Sequence, residues 1–491
     1  MSKQDKAKAQ RPKARRPKGF RDAFAQQVIA RREMLAKISA VYERFGFQPL
    51  ETSSVEYVDA LGKFLPEKDA PDTGIFAFKD DLDDQWLGLR YDLTAQLARV
   101  VAEHRLELPT PFRRYQFGPV WRREIKPGKD RFRQFYQCDF DTVGAGSITA
   151  DAEVCEVLAA AMRALGINDF LIRVNNRKVL NGLLEVLGID DPSTCGDVLR
   201  SLDKLDDLGL EGLAAQLGEG RKDKSGSFVD GVGLETSAID QLLAYLNCRE
   251  QDRSATCDAL MKMTEASEVG REGVEELRQI DQLLQAMDLG PEHVMFDPSL
   301  VRGLDYYTGP VFEIELPFEV KVKGKTKKFG SVAGGGRYDY LVERFTGQKV
   351  PAVGASIGVD RLLAALEHLE EDAQEVPLGP VVITIMEKDR LAEYQRMANE
   401  LREAGIPAEL YHGGSGFKAQ IKYADRRRSP VVVIAGGSEF DNGEVTLKNM
   451  GLGKKLAEEI DDNKQWRKEQ PAQSTVARSE LVKSVREILG E

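Results

Sequence analysis

The stretch FRRYQFGPVWRREIKPGKDRFRQFYQCDFD, from Phe112 to Asp141, decides how the chain folds. Two runs rich in aromatic residues flank PGKD at Pro127 to Asp130, a turn tetrapeptide, so the pattern predicts strand, turn, strand. The same segment is dense in cations. From Arg113 to Arg133, Arg113, Arg114, Arg122, Arg123, Lys126, Lys129, Arg131 and Arg133 stand against only Glu124 and Asp130, before Asp139 and Asp141 near the segment's end. Residues two apart on a strand share a face. Arg122 and Glu124 therefore point together, as do Arg131 and Arg133, and Gln137, Asp139 and Asp141 line acceptors along one face. Such a surface suits a polyphosphate at its loop and an ammonium group at its far end, with Phe135 placed to stack on a purine. The competing reading is a salt-bridged surface hairpin, and the hairpin's own acids are too few to pair its cations.

Two shorter segments add to this chemistry: RGLDYYTG (Arg302 to Gly309) and GGGRYD (Gly334 to Asp339). Arg302 cannot shed its proton, so its burial requires an anion such as a carboxylate or phosphate against it. The glycines allow close approach of backbone to a ligand. Around these motifs, apolar spacing predicts a helix over Arg21 to Phe45 (Val28, Leu35, Ile38, Val41, Tyr42, Phe45) that stops at Gly46, with Pro49 opening an extended segment. A second helix follows Asp92, with Leu93, Leu97 and Val100 on one face. Residues from Pro192 to Leu289 read as inserted helices with little strand signal. The β pattern then resumes through VFEIEL (Val311 to Leu316) and a Lys-rich hairpin near Gly324, and a helix spans Val359 to Leu369. After a linker, Glu370 to Pro380, the segments VVITIM, a helix over Asp389 to Ala404, AELYH, a helix near Phe417 to Asp425, and VVVIA alternate as in a small α/β domain.

Composition narrows the classes. A chain of 491 residues has room for roughly three domains. Hydrophobic content of 42% with 30% charged residues is that of a folded globular protein, and no apolar run reaches membrane-spanning length. The five cysteines are scattered without a CxxC pair, which fits a reducing, cytoplasmic setting. The four histidines are far apart, so no tightly bound metal is expected. Net charge is −11, yet residues 3 to 18 carry eight cations against Asp5, read as a solvated tail. Neither a GxxxxGK[ST] loop nor a GxGxxG between strand and helix is present, which argues against a P-loop or dinucleotide fold.

Taken together, these motifs resemble the histidyl-tRNA synthetases, class II aminoacyl-tRNA synthetases. RGLDYYTG and GGGRYD resemble the two histidine-specific signatures, and FRRYQFGPVWRRE with RFRQFYQCDFD resembles motif 2. GASIGVDRLL (Gly354 to Leu363) resembles motif 3, the helix leading to FGFQPLE resembles the dimer-forming motif 1, and RYDLTAQLAR (Arg90 to Arg99) resembles the amino-acid-binding loop. The resemblance implies an α/β (α+β) fold: an antiparallel-sheet catalytic domain with a helical insertion and a C-terminal mixed α/β anticodon-binding domain. Its implied boundaries are a basic tail over 1–18, catalytic parts over 19–190 and 296–372, the insertion over 191–295, and the anticodon domain over 380–491.

The implied activity is ATP-dependent ligation of L-histidine to the 3′ end of histidine tRNA through a histidyl-adenylate, in a cytoplasmic homodimer, with Mg²⁺ accompanying ATP. By resemblance, Arg302 and Arg122 are catalytic. Asp92, Leu93, Thr94, Arg122, Gln137, Asp141, Arg302, Tyr306 and Tyr307 bind histidine; Arg122, Glu124, Arg131, Phe135 and Arg361 bind ATP. Lys129, Arg133, Lys418, Lys422 and Arg427 are candidate tRNA contacts, with Gln420, Arg426 and Arg428 on the same RNA face. The loop KPGKDRF (Lys126 to Phe132) departs from the common bacterial form, so a different acceptor-end preference is expected. A regulatory paralogue of ATP phosphoribosyltransferase shares the fold, but it lacks an anticodon domain and degrades the catalytic arginines; here both are present.

Overall fold

The structure is a computed structural model that describes residues 12–61, 74–82, 84–123, 132–223, 226–301, 307–322, 325–369, 379–452 and 472–490. The chain divides into two compact units, Met1–Asp372 and Ala373–Glu491.

An eight-stranded sheet organises the first unit. Its strands in chain order are β1 (Gln48–Pro49), β2 (Phe112–Trp121), β3 (Gln134–Val143), β4 (Leu171–Asn176), β5 (Val294–Phe296), β6 (Pro310–Val322), β7 (Lys325–Arg337) and β8 (Ala352–Gly358). Across the sheet they run β1-β2-β3-β8-β7-β6-β4-β5, antiparallel except for β1–β2 and β4–β5. The hairpin read from the sequence forms, with Phe112 opposite Val143 and Trp121 opposite Gln134. Its PGKD turn lies outside the described residues, as does Gly324 in the β6–β7 hairpin.

The two faces of this sheet differ because side chains alternate. On one face Tyr115, Cys138, Phe140, Ala355 and Ile357 are buried in the main core. Helices α1 (Ala25–Arg44), α3 (Thr149–Ala164) and α4 (Val359–Leu369) add residues to that core, whereas α2 (Thr94–Glu103) packs Leu97 and Ala98 with Phe112 and Val143 of the other face. Helix α1 contributes the stripe Met34, Leu35, Ile38, Val41 and Tyr42, spaced as a helix face requires. It begins four residues later than the sequence suggests, and Val28 stays 40% exposed because the stripe facing the core starts only at Met34. Gly46 follows at φ +80°, a backbone that glycine adopts without strain.

The opposite face is polar and short of side chains. Row by row it carries Arg114, Asp141, Gly354 and Gly336; then Gln116, Asp139, Ser356 and Gly334; then Gly118, Gln137 and Gly358. Helices from Arg177 to Ala286 follow β4 and share the main core through Leu242, Leu277 and Leu284. They are interrupted by a hairpin, Gly220–Lys222 with Phe228–Asp230, that helical periodicity did not reveal; strands of three residues are too short to register a period of two.

The second unit is a five-stranded sheet in the order β10-β9-β11-β12-β13, built from β9 (Val381–Ile383), β10 (Ala408–Leu410), β11 (Val431–Ile434), β12 (Glu444–Asn449) and β13 (Gln473–Ala477). The first three are parallel, matching the alternating segments, and the helices Leu391–Glu403 and Phe417–Arg426 join them. An antiparallel pair, β12–β13, and a helix over Leu481–Leu489 extend beyond the sequence reading. Val445 and Leu447, buried at a spacing of two, were the available signal.

Candidate active site

The polar face of the sheet forms the site. Its floor is glycine because neighbours occupy the space a side chain would need. A Cβ on Gly336 would lie 2.6 Å from the Tyr307 ring, and one on Gly354 would collide with the Asp141 carboxylate and the Phe140 carbonyl. Tyr307, from the RGLDYYTG segment, thus lies on the glycine run of the GGGRYD segment, so these two motifs meet. Arg302 and Tyr306, like Glu124, Lys129 and Arg131, lie outside the described residues.

The amino-acid-loop residues reach the same place. Asp92 Oδ1 accepts from the Ala95 amide (3.0 Å), which fixes the start of α2, and Leu93 O accepts from Arg114 Nη2 (3.2 Å). Thr94 Oγ1 donates to Asp139 Oδ2 at 3.5 Å, and Gln137 Nε2 donates to Ser356 Oγ at 2.7 Å. Asp141 is paired with Arg114 (2.7 Å) and accepts a short bond from the Tyr338 hydroxyl. Arg114 is fully buried, and Asp139 and Asp141 are each 2% exposed.

Three carboxylates are thereby crowded together, Asp139 and Asp141 buried and Asp92 half-buried, and desolvation raises the pKa of all three. Asp139 is pushed up to about 7, by desolvation first and by the neighbouring Asp141 and Asp92 charges, with Arg114 opposing. Desolvation likewise raises Asp92 and Asp141, against relief from Arg122 and Arg114 at the former and Arg114 and Tyr338 at the latter. Among the described residues Arg114 is the cation in contact, at Asp141. The nearby Arg90 guanidinium is held by the carbonyls of Pro119 (2.9 Å) and Thr52 (2.9 Å). Acceptors outnumber donors: Gln116 Oε1, Gln137 Oε1 and Asp139 Oδ1 are buried with no hydrogen-bond partner among the described residues.

At the other end of the hairpin, Arg122 is exposed, donates from Nε to Tyr91 O (3.1 Å) and places its guanidinium 5.1 Å from the centre of the Phe135 ring. One face of Phe135 is therefore covered by a cation, so a purine has only the other face to stack on. Arg133 is half-buried beside the strand end, where its carbonyl accepts from the Arg122 amide. Arg361, on α4, donates to Phe329 O (3.1 Å). Part of the hairpin's surplus of cations is paired: Arg113 with Glu153 (2.8 Å) and Arg114 with Asp141 (2.7 Å).

In the second unit Lys418 and Lys422 are exposed one helical turn apart. Gln420 and Arg427 do not join them as an open RNA face. Gln420 is buried, bonded to both the amide and the carbonyl of Ile385 (2.8 Å each), and Arg427 forms a two-pronged pair with Glu409 (2.9 and 3.1 Å). Sequence reasoning did not assign Arg114, Tyr338 or Ser356 to the site. Arg114 and Ser356 sit directly across the strands from Asp141 and Asp139, a signal that depends on knowing the register.

An antiparallel sheet carrying this acceptor row, with its cationic hairpin, is the catalytic fold of a class II aminoacyl-tRNA synthetase. A family model described as histidyl-tRNA synthetase matches residues 19–362, and one described as anticodon binding domain matches residues 380–488. The histidine–tRNA ligase of Paracoccus denitrificans is 54% identical over 498 residues, covering 99% of this chain and 100% of that protein. Among solved structures, the histidyl-tRNA synthetase from Nostoc sp. PCC 7120 superposes with a TM-score of 0.73 at 26% identity, covering 97% and 100% of the two chains. A Bacillus halodurans structure described as an ATP phosphoribosyltransferase regulatory subunit/histidyl-tRNA synthetase shares the fold, with a TM-score of 0.65 over 84% of this chain and 96% of that one. The chain belongs to the histidyl-tRNA synthetase family.

Proposed function

We propose that the glycine-floored pocket activates L-histidine with ATP, as the Mg²⁺ complex, and that the enzyme then ligates the histidyl group to the 3′ end of histidine tRNA. The observation that carries this reading is the surplus of buried acceptors around Asp92, Gln137, Asp139 and Asp141, which calls for a small cationic ligand such as an α-ammonium.

The histidine carboxylate attacks the α-phosphorus in line, and pyrophosphate leaves. The 3′-terminal ribose hydroxyl of the tRNA then attacks the activated carbonyl and AMP departs. No nucleophilic side chain is required; positioning and charge stabilisation carry both steps. Asp92, Thr94 and Gln137 hold the ammonium, and Tyr307, with Tyr306, lines the imidazole pocket. Arg122, kept in place by its bond to Tyr91 O, and Arg302 meet the α-phosphate and the substrate carboxylate. Phe135 offers its open face to adenine beside Glu124, and Arg361 and Arg131 hold the outer phosphates. Mg²⁺ would accompany ATP as part of the nucleotide substrate and would offset the charge of its phosphates.

The second unit binds the anticodon stem, with Lys418 and Lys422 as its described cationic contacts, while Lys129 and Arg133 approach the acceptor end. We assign the working form to a cytoplasmic homodimer. Supporting the dimer, Val28, Arg31, Arg32, Leu35, Ala36, Ser39 and Phe117 line a shallow groove of about 280 Å³ in which Phe117 is 41% exposed. Among the described residues no helix is long and apolar enough to cross a membrane.

Histidine-dependent ATP/pyrophosphate exchange tests the reading. Exchange that requires histidine, and its near-abolition in Arg302→Ala, are expected; exchange indifferent to histidine, or unaffected by that substitution, contradicts it.

A further inference from the structure

We propose that Asp139 is an ammonium-binding residue of the amino-acid site, and that it carries a proton in the empty pocket which it releases to solvent when the substrate's ammonium group arrives. This rests on the proposed histidine-activating function and adds a residue that the family resemblance does not assign.

The argument begins with valence. An ammonium group has three N–H donors and needs three acceptors. Asp141, assigned to histidine binding by resemblance, is already committed: its carboxylate is engaged by Arg114 at 2.7 Å and by the Tyr338 hydroxyl. Asp139 stands one row away on the same face of β3, 2% exposed, with Oδ2 receiving Thr94 at 3.5 Å and Oδ1 unpartnered among the described residues. Gln137 Oε1, one row further along, is equally buried and equally without a partner, because the Gln137 amide nitrogen is held by Ser356. Asp92 precedes Thr94 on the loop that reaches Asp139. Asp139 Oδ1, Gln137 Oε1 and Asp92 make three acceptors for three donors. On β8, Gly358 beside Gln137 carries no side chain, and Ser356 stands across from Asp139.

Charge supplies the second half. The groups facing Asp139 are Asp141 and Asp92, which disfavour its ionisation; Arg114, which favours it; and the Ser356 hydroxyl, which stabilises the charged form. Arg90 is drawn toward it from the adjoining loop, Arg122 acts on Asp92, and Tyr307 and, across the sheet, Tyr42 and Cys138 are neutral neighbours coupled to it. Among the described residues one guanidinium contacts this group of three carboxylates, at Asp141, and Asp139, whose Oδ1 has no partner among them, keeps its proton near neutrality. A cation arriving in hydrogen-bond range reverses this: the O–H bond of Asp139 breaks, the proton leaves to water, and the carboxylate accepts an ammonium N–H. Ionised Asp139 then favours histidine over ligands without the ammonium.

The test uses Asp139→Asn in the full chain, which keeps the shape and the Oδ1 acceptor but removes the charge. At pH 8 the histidine KM in ATP/pyrophosphate exchange is expected to rise about tenfold, with the ATP KM and kcat within about twofold of wild type. At pH 6, where wild-type Asp139 holds its proton, the gap should narrow several-fold, following a group that titrates about one pH unit above. A mutant-to-wild-type ratio of histidine KM that is the same at both pH values, or an equal rise in ATP KM, overturns the proposal. Should the variant fail to fold, calorimetry on the wild type at pH 7 in buffers of different ionisation enthalpy decides: release of roughly half a proton on histidine binding supports it, and no release or net uptake overturns it. Wild-type protein without histidine-dependent exchange would instead sink the functional reading itself.

Discussion

Two buried charge clusters of the first unit are finished in different ways. Arg337, from GGGRYD, donates Nε to Asp151 Oδ1 (3.0 Å), Nη2 to Asp151 Oδ2 and Nη1 to the Ala145 carbonyl (3.1 Å), with Asp151 fully buried. Arg337 also faces Asp339 (3.6 Å), which Lys349 meets as well (3.6 Å), so two cations stand against two carboxylates and the Arg337 donors are used. Around Asp92, Asp139 and Asp141 the described residues place one guanidinium in contact, at Asp141, and acceptor atoms remain open among them. A completed cluster holds elements together; an incomplete one is complementary to a ligand. The difference separates structural from functional residues inside one short motif, since Arg337 belongs to the first kind and its neighbour Tyr338, bonded to Asp141, to the second.

Breaking the completed cluster should have the largest effect, and on stability. Arg337→Met strands a buried Asp151 carboxylate and is expected to cost about 3–5 kcal/mol in denaturant unfolding. The histidine and ATP KM of the molecules that remain folded should stay near wild type; a selective rise in histidine KM would erase the distinction between the clusters. Arg122→Ala is the converse. Arg122 is exposed and its removal should leave the unfolding midpoint unchanged while lowering kcat for exchange by about a hundredfold to a thousandfold.

A smaller effect sharpens the comparison through pH. The Asp139 carboxyl in the folded pocket sits at about 7, above its ordinary unfolded value, so the folded state binds its proton more tightly. Its contribution to stability is therefore fully present at low pH and is lost as pH rises from about 4 through 7. Asp139→Asn removes that loss, so without histidine its Tm should exceed the wild-type Tm by a few degrees at pH 8, and by much less near pH 4.5. A lower Tm for the variant at pH 8 would show the carboxylate to be a structural partner of Arg114. The smallest effect is expected from Tyr338→Phe. Losing one donor to Asp141 should cost about 1–2 kcal/mol of stability and raise the histidine KM only a few-fold, read from the same unfolding and exchange assays.

The hairpin at Phe112 to Asp141 was legible because its alternation, its turn and its acceptor row are all local, and the row at Gln137, Asp139 and Asp141 does share one face. The helix at Val359 and the parallel strands of the second unit were legible for the same reason. What lay beyond reach was pairing across distance. Arg114 reads as one more cation of a basic run until the register places it opposite Asp141, and Arg113 until Glu153 meets it. Asp151 and Arg337 are 186 positions apart, so nothing local marks them as partners. Gln420 looks solvent-facing in a polar helix, yet the Ile385 backbone takes both ends of its amide. Polar residues are hard to place from sequence because their burial depends on a specific distant partner, whereas apolar burial follows a period.

The central claim is that the open acceptors await the ammonium of histidine. Histidine-dependent ATP/pyrophosphate exchange by the purified full-length chain, run against the other amino acids and against des-amino histidine, tests it most directly. The account predicts exchange with L-histidine alone, lost when the ammonium group is absent; exchange with des-amino histidine at a rate comparable to histidine would contradict it.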